Sequence, residues 1–76
     1  MTPEKMIRIM TSQGLSNQDV ASISGVTYRQ VMSWRSGKHP VPMMLSFLLS
    51  ALDEGMISDD WLVDKLQTEL AEQVEA

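Results

Sequence analysis

The chain contains no cysteine, so disulfides and zinc–thiolate centres are excluded and nothing marks its redox compartment. Its one histidine, His39, cannot assemble a metal site without several carboxylate partners. Aromatic residues are scarce, with two Trp, one Tyr and one Phe among 76 residues. Core volume must therefore come from aliphatic side chains and from seven methionines, which fill irregular gaps. The longest nearly apolar stretch, Val41 to Leu52, falls short of the roughly 20 residues that a membrane-spanning helix needs. No basic-then-apolar leader opens the chain, so no membrane association is expected. Catalytic signatures are missing as well. There is no nucleophile–base pair, glycine-rich phosphate loop or metal-ligand spacing, so an enzyme is not expected. No cofactor, metal or small-molecule ligand is evident. Asp59, Asp60 and Asp64 lack the spacing of a calcium loop and read as acids favouring a helix start.

A further absence is local. Between Val20 and Leu52 there is not one acidic residue, although the chain as a whole carries net charge −4. Residues 1–39 hold Lys5, Arg8, Arg29, Arg35 and Lys38 against Glu4 and Asp19, a net +3. Residues 40–76 hold Lys65 against eight acids, a net −7. Binding to an anionic partner depends on the face presented rather than on the sum. The segregation therefore keeps nucleic acid open as a partner despite the acidic total.

What is present is helical punctuation. A chain of this length makes one domain and buries only about 60% of the surface its unfolded form exposes. Five segments carry helical periodicity or caps, and none carries the alternation of a strand. The first runs from Thr2 to Gln13, with proline at its first helical position, Met6, Ile9 and Met10 on one stripe, and Gly14 at its end. The second spans Asn17 to Ser24. Ser16 caps it with Asp19 three residues on, Val20, Ala21 and Ile23 form its inner side, and Gly25 follows. The third spans Tyr28 to Ser36, opened by the capping pair Thr27 and Gln30, with Val31 and Trp34 inward and Gly37 beyond. Lys38-His39-Pro40-Val41-Pro42 is an extended connector, since a residue before proline is pushed out of helical geometry. The fourth starts at Pro42 or Met43, runs to Leu52 and is apolar nearly all round, a surface that asks to be covered on most sides. The fifth begins at the cap Ser58 and carries Trp61, Leu62, Leu66, Leu70 and Val74 on an otherwise acidic helix. The expected core is Ile9, Val20, Ala21, Val31, Trp34, Leu45, Leu48 and Leu49.

The segment Gly14–Gly37, GLSNQDVASISGVTYRQVMSWRSG, is the most informative stretch. It reads as two short helices joined by a tight turn, with polar residues on one face of the second. That is the layout of a helix-turn-helix, which places its second helix in the DNA major groove. Over roughly half the chain it resembles the lambda-repressor-like (Xre/Cro-type) helix-turn-helix regulators. The matching features are Gly14-Leu15-Ser16 opening the second helix, Ala21 packing against the third, and the Gly25-Val26-Thr27 turn. Val31, Trp34, Gly37 and Lys38 with the proline-bearing loop complete the match. The length and the proline loop also resemble small phage and anti-CRISPR-associated repressors.

The resemblance implies an all-α, five-helix lambda-repressor-like domain over 1–76, with the helix-turn-helix at 14–37 and C-terminal helices over 42–76. It implies base contacts from Tyr28, Arg29 and Ser33, and backbone contacts from Asn17, Thr27, Gln30, Ser36, Lys38 and His39. Two departures stand out. A tyrosine is bulky for the front of a recognition helix, and Arg35 occupies a place often held by glutamate. The implied function is a cytoplasmic transcriptional repressor, bacterial or phage-encoded, binding an inverted-repeat operator in double-stranded DNA. Independently, the excess apolar surface of the last two segments points to a homodimer joined through Trp61, Leu62, Leu66 and Leu70. The competing expectation is a protein-interaction module, antitoxin-like or DNA-mimicking, that uses the acidic C-terminal half. A DNA mimic would need acids on the face where Arg29 and Lys38 stand.

Overall fold

A computed structural model describes residues 1–75, and side chains to residue 73. It contains five α-helices and, among the described residues, no strand: α1 (Pro3–Gln13), α2 (Asn17–Ser24), α3 (Tyr28–Arg35), α4 (Met43–Asp53) and α5 (Asp59–Glu75). Val74, expected on the stripe of the fifth segment, lies outside the described side chains.

Each boundary has a local cause. The Thr2 hydroxyl accepts the Lys5 N–H at 3.1 Å and Pro3 supplies the first helical position of α1. Ser16 and Asp19 form a reciprocal capping box on α2: Asp19 N–H donates to Ser16 Oγ at 3.1 Å, and Ser16 N–H to the Asp19 carboxylate at 2.9 Å. The box expected on α3 is only half made. Thr27 Oγ1 accepts the Gln30 N–H at 3.3 Å, but the Gln30 side chain makes no return bond among those described. Gly25 stands at φ +69°, the left-handed value that closes α2, and lets Val26 N–H reach the Ala21 carbonyl at 3.0 Å. α3 ends one residue earlier than expected, with Ser36 as its cap and Gly37 left-handed beyond it. Ser58 Oγ accepts the Trp61 N–H at 3.1 Å at the start of α5.

Packing follows from the apolar stripes. α1 lies against α4 and α3, and α2 lies against α3. The shared core holds Met6, Ile9, Met10, Val20, Ala21, Val31, Trp34, Leu45, Leu49, Leu52 and Leu62. Two expectations change here. Leu48, expected inside, is only half-buried at the edge of the core. Leu62, expected at a dimer seam, is 8% exposed and belongs to the chain's own core. Burial then falls along α5, from Leu62 through half-buried Leu66 to Leu70 at 51% exposed. The later turns, through Leu70 and Gln73, line a shallow groove against α2 rather than entering the core. The apolar excess of α4 is real and concentrated at its start, where Met43, Met44 and Phe47 are all more than 60% exposed. Arg8 on α1 pairs with Asp53 at the end of α4, its Nη1 and Nη2 each donating to a carboxylate oxygen at 3.3 Å. No helix among the described residues is long and apolar enough to cross a membrane.

Candidate nucleic-acid interface

α3 is anchored from within by Val31 and Trp34, 0% and 2% exposed. One turn apart on the same side, they fix which face of this eight-residue helix points outward. Tyr28, Met32 and Arg35 fall at i, i+4 and i+7 and so share one outer stripe. That stripe meets the first residue of α2. The Asn17 amide nitrogen donates to the Tyr28 hydroxyl at 3.3 Å and to the Met32 sulfur at 3.2 Å. Arg35 Nη1 donates to Asn17 Oδ1 at 2.6 Å. The oxygen must face the guanidinium, because the amide NH₂ there would set donor against donor. One side chain at the start of α2 thus ties down both ends of α3.

The sequence-predicted contact residues divide under this geometry. Tyr28 is 47% exposed, and Arg29 is exposed with no ion pair among the described residues. Arg29 stands free on the outer surface, while the Tyr28 hydroxyl accepts from Asn17. Ser33 is half-buried and spends its hydroxyl on the Gln30 carbonyl at 2.6 Å, so it must rotate away from its own helix before it can reach a base. Gln30 is also half-buried, while Thr27, Ser36, Lys38 and His39 are exposed. Ser36 Oγ donates to the Ser33 carbonyl at 3.1 Å and accepts the Lys38 N–H at 3.4 Å, which steadies the chain as it leaves α3. His39 N–H donates to the Ser33 carbonyl at 3.2 Å.

Two residues of this face were not singled out from the sequence as contacts: Met32, 42% exposed, and half-buried Arg35. The spacing of Tyr28, Met32 and Arg35 was the available signal. The resulting surface carries Arg29, Arg35 and Lys38 with no acid between Val20 and Leu52. Asp19, the nearest acid in sequence, is engaged with the Ser16 N–H. Chemically, the arrangement offers hydrogen-bond donors and positive charge. No group of three or more metal-ligating side chains occurs among the described residues.

A second surface feature lies on the other side of the turn. An open groove of about 350 Å³ runs between α2, α3 and α4, lined by Ile23, Val26, Trp34, Met44 and Leu48. Ser24 also lines it, with its Oγ buried and without a hydrogen-bond partner among the described residues. Comparison with known protein families, with curated proteins and with solved structures found no match.

Proposed function

We propose that this chain is a lambda-repressor-like helix-turn-helix protein that binds specific sequences in double-stranded DNA as a homodimer and represses transcription without catalysing a reaction. The observation that carries this reading is the outer face of α3. It is a short helix pinned by Val31 and Trp34 and free of acids, with Tyr28, Arg29 and Arg35 on it, Lys38 just beyond its end and α2 braced against it through Asn17. Arginine can donate two parallel hydrogen bonds to guanine O6 and N7, worth about 1–3 kcal/mol of discrimination. We assign that role to Arg29, and its exposure without an ion pair among the described residues supports the assignment. Thr27, Ser36, Lys38 and His39 are exposed around it and suit phosphate contacts, which set register without reading sequence.

Dimerisation is supported by exposed apolar surface at two places: Met43, Met44 and Phe47 on α4, and Trp61, Val63 and Leu70 on α5. Trp61, Leu66 and Leu70 remain in the proposed seam, whereas Leu62 contributes from the core beneath it. A symmetric dimer would set two recognition helices about 34 Å apart, matching an inverted repeat. Selecting bound sequences from a random DNA pool tests the reading: recovery of an inverted repeat is expected, and recovery of no enriched sequence overturns it. The competing reading is a protein-interaction module acting through acidic α5, favoured by the exposed Trp61, Val63 and Leu70 there. Retention on heparin at low salt is expected of the DNA binder and not of that module.

A further inference from the structure

Arg35 is a charge in an unusual setting. It is half-buried, and its guanidinium is always protonated. Among the described residues its one hydrogen-bond partner is the neutral Asn17 Oδ1, at 2.6 Å. The one ion pair there, Arg8 with Asp53, lies elsewhere on the molecule. An amide oxygen satisfies one of five N–H donors and cancels no charge. Partly burying a cation without an anion is costly, and an anion from outside would offset that cost. A second donor meets the other end of the same amide. Tyr28 Oη accepts from Asn17 Nδ2 at 3.3 Å, which leaves the phenolic hydrogen free to donate.

We infer that Arg35 and Tyr28 form a preformed oxyanion site for one phosphodiester group of the DNA backbone, with Asn17 as the positioning residue that sets both donors. This rests on the DNA-binding reading for the source of the anion. It also changes the role expected for Asn17, whose amide is spent on its neighbours and acts on the phosphate through Arg35.

The test uses the full chain, a random-sequence DNA duplex and, separately, inorganic phosphate. Duplex affinity is measured by fluorescence anisotropy between roughly 50 and 200 mM salt, a range over which each neutralised phosphate changes affinity about 3.5-fold. Arg35→Gln should flatten the slope of log K against log salt by about 0.9, and Arg35→Lys should keep it, because a point charge still neutralises phosphate. Asn17→Ala removes no charge, so a flattened slope in that variant identifies an effect exerted through Arg35. Circular dichroism confirms that each variant is helical, and the Asn17 variant serves if Arg35→Gln does not fold. An unchanged slope in Arg35→Gln or in Asn17→Ala, with wild-type duplex binding intact, overturns the inference and leaves the DNA reading standing. If the wild type ignores duplex but inorganic phosphate shifts the Arg35 Nε–H NMR signal, the anion site stands and the DNA reading falls. If neither ligand moves that signal, the inference is overturned.

Discussion

Ala21→Leu tests the packing on which the whole interface depends. Ala21 is 4% exposed and sits on α2 within the core that contains Val31 and Trp34 of α3. Its carbonyl also accepts the Val26 N–H at 3.0 Å, which closes the turn between the two helices. Leucine adds three carbons at a place already closed to solvent. Inserting methylenes into a packed core forces off-rotamer side chains and backbone shifts that cost about 1–3 kcal/mol. For a domain of this size each kcal/mol lowers the melting temperature by about 4–8 °C, so a drop on the order of 5–20 °C is expected. A total stability of roughly 4–11 kcal/mol leaves the variant folded at low temperature. The same wedge should part α2 from α3 and lengthen the 2.6 Å contact between Asn17 and Arg35, weakening DNA binding in the folded variant. The assay is a thermal melt by circular dichroism beside Ser22→Leu, an exposed neighbour on α2 whose change should stay within about 0.5 kcal/mol. Equal melting temperatures for Ala21→Leu and the wild type would refute the close approach of α2 and α3.

Three further outcomes are expected. Arg29→Ala should lose about 1–3 kcal/mol of discrimination at one base pair, whereas Lys38→Ala should weaken all sequences alike; equal losses on selected and random DNA for Arg29→Ala would make it a phosphate contact. Gly25→Ala should cost about 1–2 kcal/mol from the left-handed backbone alone, because nothing lies within 4 Å of the added carbon; an unchanged melting curve would show that the turn relaxes. Leu66→Glu should turn a dimer at micromolar concentration into a monomer in sedimentation while the helices persist, and full operator affinity in that variant would move the seam away from α5. Phe47→Glu, made in parallel on α4, locates it if so.

The helices were legible because their boundaries are set by neighbours in sequence. Thr2 with Pro3, Ser16 with Asp19, and the left-handed Gly14 and Gly25 act within one turn of the residues they cap. Depth in the core was less legible, because it depends on which helices meet. Met6 and Met10 of α1 and Leu52 of α4 are nearly inaccessible where those two helices face each other. Leu48, on the same apolar helix, is left at the edge. The Leu62, Leu66, Leu70 repeat looked like one uniform stripe, yet its burial falls residue by residue as α5 runs past the body. Periodicity gives the face of a helix but not how far along its length a neighbour reaches.

The candidate interface shows the same limit in electrostatic form. The first 39 residues carry net +3, which on sequence alone spreads over three helices. Folding redistributes it. Asp53, from the acidic half, comes to Arg8 on α1 and offsets that charge in an exposed pair worth at most about 1 kcal/mol. Arg29, Arg35 and Lys38 are left without a carboxylate among the described residues. Of the four cationic side chains in residues 1–39 without an ion pair among the described residues, Lys5 lies on α1, while Arg29, Arg35 and Lys38 stand on α3 and its exit, beside the Asn17 brace. Arg35 could not be placed from its own sequence position, since its direction is fixed by an amide eighteen residues earlier. The angle at which α2 docks on α3 decides that contact. The same docking turns a half-buried arginine into a positioned cation facing the surface proposed to meet phosphate.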